Sequence, residues 1–443
     1  MADIQTSIRK NQKIKLLNGQ TVTVTGKIGE GGQGIVYRVK VDGTNEEKAM
    51  KWYFMYKIND PKSFCSNLAD NVATGSPSET FVWPEQLTEV TNGSFGYIME
   101  IIPDRYKALS KYLQARVSFK SCSAMVTAAI NIVEAFQQLI NKGYSFQDIN
   151  DGSFKIDPTT GDVLICDCDN VVSFGKASGI SGKARYKAPE VVRGDTLPNK
   201  VTDRYSLAVI LFLLLVGNHP LEGARSNVPC MTGKYERRFY GQEPVFMFDE
   251  QLDVNRPVPG LHRNAIALWP CYPDFIRKAF IRSFSQDSLL RSEGRLIEQE
   301  WLMLLVRLKS CIVRCMNCGC EYFAESTIAT ACPDCMAYNT PPGYLRFDKK
   351  RTNVEITIPI ADGAKLYEAE LDERSKDYNT VSAEILVKPG KYGLKNLSKS
   401  VWEITAPGGK TVKKAPGEVA VLGTGFRIDF GNGVTAEIVA NSR

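Results

Sequence analysis

The sequence has very few histidines, no marked excess of either charge and no long apolar run. His219 and His262 are the only histidines among 443 residues, so neither histidine-based catalysis nor histidine-based metal binding is expected. The 55 basic and 49 acidic residues give a net charge of only +6, which provides no basis for nucleic acid as the main partner. The most apolar run, Leu207–Val216, is much shorter than the ~20 residues of a membrane span. It predicts a buried helix.

The N-terminus also lacks the features of a secretion signal. Its first residues, Met-Ala-Asp-Ile-Gln, contain no apolar core. A hydrophobic content of 43% and a charged content of 23% are ordinary for globular chains, and the length predicts about three domains. We therefore expect a multidomain cytoplasmic protein with no membrane partner.

Three separated segments have the order and spacing of a nucleoside triphosphate site. The first is a G-x-G-x-x-G-x-V loop over residues 29–36, and Lys51 follows it. The others contain Asp148, in Phe-Gln-Asp-Ile-Asn, and Asp167, in Leu-Ile-Cys-Asp-Cys-Asp. Glycines let backbone N–H groups close over phosphate oxygens, and a lysine neutralises those oxygens. One aspartate can then orient an attacking hydroxyl while the other holds magnesium. A glycine loop alone is weak evidence, but this ordered set gives each member a separate electrostatic task.

This pattern resembles the protein kinase family, and the resemblance covers roughly residues 15–310. Lys187-Ala188-Pro189-Glu190 is similar to the Ala-Pro-Glu motif that closes a kinase activation segment. Asp203 begins a segment similar to the family's buried central helix, and Arg295 is similar to the late arginine that pairs with the motif's glutamate. The resemblance implies an α+β, two-lobed protein kinase fold over residues 1–310, with an N-lobe at 15–102 and a C-lobe at 103–310.

The resemblance also implies the function and the residues that perform it. It implies an ATP- and Mg²⁺-dependent kinase that transfers the γ-phosphate to serine or threonine of a protein substrate. Lys51, Asp148 and Asp167 are the implied catalytic residues, and Asp167 and Ser153 the implied magnesium ligands. Met99 matches the gatekeeper position before the adenine-binding hinge. The residues expected to contact ATP are Gly29, Gly31, Gly32, Gly34, Val36, Ala49, Lys51, Met99, Glu100, Ile102, Ser153 and Asp167.

Several positions depart from the family pattern. Gln147 replaces the arginine that pairs with an activation-loop phosphate, and Asn150 replaces the lysine expected two residues after the aspartate. Ser153 replaces a metal-binding asparagine, and the family's Asp-Phe-Gly is here Asp167-Cys168-Asp169. The phosphate-binding half of the site is therefore intact, and the transfer half is altered. Two alternatives stay open: a pseudokinase that senses nucleotide as a scaffold, and nucleotidyl transfer from the same cleft.

The expected secondary structure is strand-rich first and helix-rich later. Strands are predicted over residues 22–27, 35–41 and 48–53, and a helix over 124–142 that ends at a glycine. A second helix, over 60–73, should face Lys51 but contains no glutamate. Asn67 and Asp70 are the candidates there for a partner of Lys51. The activation segment is expected over 173–185, with Ser178 and Ser181 as candidate phosphorylation sites.

Two Cys-x₂-Cys pairs form a separate motif. Cys315 and Cys318 are separated from Cys332 and Cys335 by thirteen residues. Four thiolates at this spacing can complete the tetrahedral shell of Zn²⁺, which predicts a zinc ribbon over residues 311–340. Disulfides are not expected in a cytoplasmic chain, and Cys320 is close enough to compete with Cys318 as a ligand. The segment has few basic residues, which favours a role between domains or in partner docking over nucleic-acid binding.

The last hundred residues predict a small antiparallel β-sandwich over 341–443, after a linker at Pro341-Pro342-Gly343. The segment Gly393–Ser398 loosely resembles a forkhead-associated domain, a family that reads phosphothreonine through an arginine, a serine and an asparagine. The Asn-Gly pair of that family is missing after Ser398. The predicted strands are 354–360, 383–387, 401–406, 419–422 and 427–430.

The whole arrangement is similar to kinases of tellurite-resistance-type stress operons. Those kinases are found with a metal-dependent protein phosphatase and a von Willebrand A-type protein. The resemblance implies such proteins as partners of this chain.

Overall fold

The structure is a computed structural model that describes residues 8–58, 60–176, 182–349, 356–388 and 391–441. The candidate phosphorylation sites Ser178 and Ser181 lie outside the described residues.

The N-terminal region is a six-stranded antiparallel sheet with one helix packed on it. Its strands are β1 (Lys13–Lys15), β2 (Thr21–Glu30), β3 (Gly34–Val41), β4 (Glu47–Tyr53), β5 (Gln86–Leu87) and β6 (Gly96–Met99). They lie in the order β1-β2-β3-β4-β6-β5, and the three predicted strands correspond to β2, β3 and β4. Helix α1 (Pro61–Thr74) begins after Asp60, which accepts a hydrogen bond from the Ser63 N–H. Phe64 and Leu68 anchor this helix in the apolar cluster under the sheet.

The following region, up to residue 310, is mainly helical. Its helices are α2 (Leu109–Leu113), α3 (Cys122–Asn141), α4 (Pro189–Arg193), α5 (Lys200–Val216), α6 (Gly233–Arg237), α7 (Arg263–Leu268), α8 (Asp274–Ser283), α9 (Gln286–Arg291) and α10 (Glu298–Ser310). Its short strands are β7 (Lys107–Ala108), β8 (Tyr144–Ser145), β9 (Phe154–Ile156), β10 (Val163–Ile165) and β11 (Val172–Ser173). The apolar run at Leu207–Val216 is the buried part of α5, as predicted.

Helix α3 is long and apolar enough to cross a membrane by length and composition. Its buried residues, among them Val126, Ile130 and Phe136, belong to the core that α5 and α10 also form. Packing in that core accounts for its apolar character, because a helix in the interior of a globular region needs apolar side chains over most of its surface.

The cysteine-rich segment consists of two short hairpins. The first pairs β12 (Ile312–Arg314) with β13 (Glu321–Phe323), and the second pairs β14 (Thr330–Ala331) with β15 (Tyr338–Asn339). Their small core contains Val313, Tyr322 and Cys332.

The C-terminal region contains two antiparallel sheets that share one core around Leu394, Trp402 and Ile428. The elements are β16 (Gly343–Lys349), β17 (Ile356–Pro359), β18 (Lys365–Tyr367), α11 (Glu368–Leu371), β19 (Val381–Lys388), β20 (Lys391–Asn396), β21 (Trp402–Thr405), β22 (Thr411–Lys414), β23 (Val419–Leu422), β24 (Arg427–Asp429) and β25 (Val434–Ala440). One sheet has the order β17-β16-β25-β24-β21-β22 and the other the order β18-β19-β20-β23.

The predicted linker at Pro341-Pro342-Gly343 is wrong in part, because Gly343 opens β16. The Asn441 side chain donates to the Pro341 carbonyl at 2.9 Å, and its backbone N–H donates to the Pro342 carbonyl at 3.1 Å. Alternating buried residues, Leu345 and Phe347, face the core from this strand. The Pro-Pro-Gly segment is therefore held by hydrogen bonds from Asn441 and is not a flexible linker.

The C-terminal region packs directly on the helical region. Tyr367 and Tyr378 belong to the same apolar core as α3 and α10. The Ser310 hydroxyl donates to Glu370 at 2.6 Å, and Lys309 donates to the Asn379 side chain at 3.1 Å. These contacts fix the C-terminal sheets against the end of α10.

Candidate active site

The glycine loop is the turn between β2 and β3. A Cβ atom added at Gly29, Gly31 or Gly32 would meet no atom within 4 Å, whereas one added at Gly34 would lie 2.1 Å from the Trp52 carbonyl oxygen. Gly34 therefore permits β3 to pack closely on β4. The first three glycines leave open space along the backbone, which fits a bound phosphate group.

Lys51 lies on β4 and is only 6% exposed. Its ammonium is 2.7 and 3.0 Å from the two carboxylate oxygens of Asp169 and 3.3 Å from Asp167. The Tyr53 hydroxyl also donates to Asp169, at 2.7 Å. The loop residue Gln33 has its side-chain oxygen 3.4 Å from the ammonium. Lys51 thus lies between the glycine loop and the Asp167-Cys-Asp169 segment.

Burial and ion pairing have opposite effects on the pKa of Lys51. Burial alone would lower the pKa of Lys51, but the carboxylates of Asp169 and Asp167 outweigh it and hold the pKa above its usual range. Tyr53 stays a neutral donor because burial, together with the charge of Asp169, raises the pKa of its hydroxyl. A protonated lysine beside open space is a ready anion partner.

The candidates Asn67 and Asp70 are wrong as partners of Lys51. Asp70 forms an exposed ion pair with Lys176 at 3.0 Å. The buried Asn67 amide nitrogen has no hydrogen-bond partner within the described part of the chain. One turn later, the Asn71 amide donates to the Val171 carbonyl at 2.8 Å. Helix α1 is therefore tied to the segment after Asp169, while Asp169 itself pairs with Lys51.

Sequence reasoning missed Asp169 because it occupies a position where the family pattern has glycine. The available signal was the second carboxylate of Cys-Asp-Cys-Asp, which replaces that glycine. The absence of a glutamate in residues 60–73 is a second signal, since a buried lysine needs an acidic partner from somewhere.

Asp148 lies in the loop after β8, and Asp203 supports this loop from α5. The Asp203 carboxylate accepts hydrogen bonds from the Ser145 hydroxyl and the Phe146 N–H, both at 2.8 Å. Burial raises the pKa of Asp203 to about 7, against the effect of these two donors. Burial likewise raises the pKa of Asp148, and the charge of Asp167 adds to that shift.

Two of the residues that depart from the family pattern form hydrogen bonds with backbone groups. The Gln147 amide donates to the Lys176 carbonyl at 2.7 Å, so a neutral hydrogen bond holds the start of the activation segment. The Asn150 side chain bonds within its own loop, to the Asp148 carbonyl and the Gly152 N–H.

The predicted magnesium ligands differ in exposure. Asp167 has a backbone φ of 62°, and its side chain is 40% exposed. Ser153 is fully buried, and its hydroxyl has no hydrogen-bond partner among the residues described. An accessible carboxylate and an unsatisfied hydroxyl oxygen are groups that suit a hard cation such as Mg²⁺.

The predicted adenine contacts lie in one apolar cluster under the sheet. Ala49 and Met99 are buried there, and Val36 and Ile102 pack against them. The cluster also contains Cys166 and Leu164, just before Asp167, which the sequence had not indicated. The Glu100 side chain points elsewhere and pairs with Lys48.

The end of the activation segment is fixed by two ion pairs. Arg295 makes a bidentate pair with Glu190, at 2.7 and 2.9 Å, as the sequence had implied. Arg185 makes a second pair with Glu222, at 2.6 and 2.9 Å. His219 bonds the Arg185 carbonyl at 2.7 Å. This part of the chain is therefore a well-anchored surface beside Asp148.

The four predicted zinc ligands come together. The sulfur atoms of Cys315, Cys318, Cys332 and Cys335 all lie within 4.8 Å of one another, and two of the pairs are 3.6 Å apart. A tetrahedron with zinc–sulfur bonds of about 2.3 Å has sulfur atoms about 3.8 Å apart. None of the twelve cysteines, all of which are described, forms a disulfide. The cluster can hold one metal ion.

The Asn396 and Ser398 side chains are part of the C-terminal core and not of an open surface. Both are buried, and the Ser398 hydroxyl donates to Asn396 at 2.8 Å and accepts from the Trp402 indole N–H at 3.1 Å. This network closes the turn before β21.

Known proteins are similar to this chain over the segment that contains the site residues. Residues 22–240 match the family model described as the protein kinase domain. A serine/threonine-protein kinase of Arabidopsis thaliana, AtPK1/AtPK6, is 25% identical over 228 residues, which cover 48% of this chain and 48% of the relative. Protein kinase YegI of Escherichia coli (strain K12) is 25% identical over 360 residues, which cover 75% of this chain and 51% of the relative.

This chain spans about half the length of these curated relatives. The match over residues 22–240 includes the glycine loop, Lys51, Asp148 and Asp167. Residues 22–240 of this chain are therefore similar to a protein kinase domain.

Proposed function

We propose that the chain is an ATP-dependent kinase that transfers the γ-phosphate to serine or threonine of a protein. The observation that carries the proposal is the convergence of Lys51, Asp167 and the glycine loop: the Lys51 ammonium lies 3.3 Å from Asp167 and 3.4 Å from the side-chain oxygen of the loop residue Gln33. Asp148 lies close enough for the charge of Asp167 to affect its pKa. The related proteins named as serine/threonine kinases support the choice of acceptor.

Each residue has a separate task in this proposal. The backbone of the glycine loop and the Lys51 ammonium would bind the phosphates, and Asp169 and Tyr53 would hold that ammonium in place. Asp148 would accept the proton of the acceptor hydroxyl. When bound, Mg²⁺ neutralises phosphate charge, and we assign Asp167 as its main ligand and Ser153 as a weak second one.

The C-terminal modules are proposed to dock partners. A β-sandwich formed by the two C-terminal sheets and a zinc ribbon would present surfaces to a protein substrate. The von Willebrand A-type protein and the metal-dependent phosphatase of stress operons remain proposed partners in the cytoplasm. Reading of phosphothreonine through Asn396 and Ser398 is not part of the proposal, because both side chains are buried.

Parallel assays with α- and γ-labelled ATP test the proposed reaction. The wild type should transfer label from γ-labelled ATP to itself or to dephosphorylated casein, and none from α-labelled ATP. Asp148→Ala should abolish transfer but keep ATP affinity in calorimetry, since Asp148 contacts the acceptor and not the nucleotide. Asp162→Ala, at an exposed position, is the matched control.

Each alternative gives a different result in these assays. Equal γ-label incorporation by the wild type and Asp148→Ala, with ATP still bound, would support the pseudokinase. Incorporation from α-labelled ATP would support nucleotidyl transfer. Absence of any ATP binding would exclude all three functions.

A further inference from the structure

The loop around Asp148 provides no positive charge of its own. Asn150 replaces the lysine of the family pattern, and its amide is engaged with the Asp148 carbonyl and the Gly152 N–H, at 3.1 and 3.0 Å. A phosphoryl group that moves toward a hydroxyl beside a carboxylate carries negative charge, which a nearby cation stabilises.

A lysine from another segment lies beside Asp148. A Cβ atom added at Gly182 would be 2.5 Å from Asp148 Oδ1 and 3.4 Å from the Lys187 Cε. The side chains of Asp148 and Lys187 therefore meet at this glycine. Burial raises the pKa of Asp148 and lowers that of Lys187, and the attraction between their two charges opposes both shifts.

Lys187 is held in position by its neighbours along the chain. It lies between Tyr186, which is buried, and Glu190, whose carboxylate forms the bidentate pair with Arg295. Lys187 also lines a cavity of about 440 Å³ with Gly182, Lys183, Val191 and Glu236. This cavity is next to Asp148, where an acceptor side chain must approach.

We propose that Lys187 is a catalytic residue that contacts the transferring γ-phosphoryl group and supplies the cation missing at Asn150. The inference rests on the proposed phosphotransfer. In that step the acceptor oxygen forms a bond to the γ-phosphorus, and the bond from that phosphorus to the β–γ bridging oxygen breaks. ADP leaves, the hydroxyl proton passes to Asp148, and Lys187 stays protonated throughout.

Within the described part of the chain, Lys183 is a second cation whose charge lowers the pKa of Asp148, whereas burial and the charges of Asp167 and Asp169 raise it. Lys183 is exposed, whereas Lys187 is half-buried. A half-buried cation interacts more strongly with a developing negative charge, because water screens it less. We therefore assign the role to Lys187.

Steady-state kinetics with casein test this assignment. Lys187→Gln should lower kcat about 100-fold, as loss of one preorganised electrostatic contact does, and should leave the Kd for ATP within about twofold. Lys278→Gln, at a surface lysine that is 72% exposed, should behave as the wild type. Because Lys187 lowers the pKa of Asp148, its loss should also move the acidic limb of the kcat profile to higher pH.

Rescue distinguishes a catalytic cation from a structural lysine. The double variant Asn150→Lys with Lys187→Gln should regain at least about tenfold in kcat, because a lysine returns beside Asp148 from the other side. A wild-type kcat in Lys187→Gln would overturn the assignment of Lys187 but not the proposed phosphotransfer. So would a loss of kcat that Asn150→Lys does not reverse. A wild type that transfers no phosphate to any acceptor overturns the proposed function and this inference together.

Discussion

The buried ammonium of Lys51 is paired with the carboxylate of Asp169. A lysine that is 6% exposed needs a carboxylate within hydrogen-bond distance, because desolvation would otherwise favour its neutral form. In this chain Asp169 supplies that carboxylate, and α1 supplies Asn71, which bonds the backbone at Val171. The position of α1 is thus linked to Lys51 through the Asp167–Val171 segment and not through a direct ion pair.

Substitution of Asp169 should therefore be costly. We expect Asp169→Asn to lower the free energy of unfolding by about 3 kcal/mol, since it leaves a buried lysine without its main counter-ion. ATP affinity should fall as well. Chemical denaturation and calorimetry measure the two effects.

Asp70→Asn is the matched control, because Asp70 forms an exposed ion pair worth at most about 1 kcal/mol. If Asp169→Asn and Asp70→Asn lower the free energy of unfolding equally, the Lys51–Asp169 pair contributes no more to stability than an exposed ion pair.

A neutral histidine, His219, hydrogen-bonds to the segment before the Ala-Pro-Glu motif. The Leu221 N–H donates to His219 Nδ1 at 3.2 Å, so Nε2 carries the proton and donates to the Arg185 carbonyl at 2.7 Å. Burial, more than any other cause, lowers the pKa of His219 to about 4. Glu222 opposes this shift and Arg185 adds to it. Protonation at Nδ1 would break the bond from Leu221.

The stability of the protein should consequently fall in acid. The pKa of His219 is lower in the folded state than the usual 6.5, so the unfolded state binds more protons between about pH 6.5 and pH 4. Stability contributed by the neutral ring is present above pH 6.5 and is lost as the pH falls through this window. At about 1.4 kcal/mol per pKa unit, the loss is about 3 kcal/mol.

Urea denaturation of the wild type and His219→Gln at pH 7 and pH 4.5 measures this contribution. We expect the variant to have lower stability at pH 7 and a smaller loss between the two pH values. His262→Gln serves as the comparison at the other histidine, which is less buried. An identical pH dependence in the wild type and His219→Gln would contradict the assignment.

At the scale of the whole molecule, the cysteine cluster is a small module that a metal ion can complete. Its core contains Val313, Tyr322 and Cys332, which is too little apolar surface to stabilise a separate domain. We expect about one zinc ion per chain, and we expect Cys332→Ser to lose both the zinc and the order of this segment.

Cys320→Ser is the matched control, because the Cys320 sulfur bonds the Glu321 carbonyl at 3.4 Å and is not one of the four clustered thiols. It should keep the zinc. Elemental analysis that finds no zinc in the purified wild type, or equal zinc in the wild type and Cys332→Ser, would remove the prediction.

The C-terminal region also contributes to the core of the helical region. Tyr378 is 1% exposed and packs with α3 and α10. Tyr378→Ala should lower the free energy of unfolding by about 3 kcal/mol through the cavity that it leaves, whereas Tyr338→Ala, at a position 75% exposed, should change it little. A chemical denaturation curve in which both variants match the wild type would show that the two regions fold independently.

The sequence predicted the local elements well, and the reasons lie in particular residues. The run Leu207–Val216 predicted a buried helix because only an interior site accommodates so many successive apolar side chains. The strands flanking the glycine loop followed from β-branched residues and turn signals. In contrast, β16 was missed because its alternation is short and its start coincides with Pro341-Pro342-Gly343, which is typical of a linker. Its pairing with β25 joins the two ends of the C-terminal region, and no local pattern reports such a pairing.

By itself the sequence determined the chemistry that is present: the glycine loop, Lys51, Asp148, Asp167 and the two cysteine pairs. Such motifs are short and keep fixed spacings, so they can be recognised without knowledge of the fold. Only the tertiary structure decided that Asp169, 118 residues from Lys51, holds that lysine and that Lys187 meets Asp148. These pairings depend on how distant segments pack, because burial and the screening of charge are properties of the folded chain and not of the local sequence.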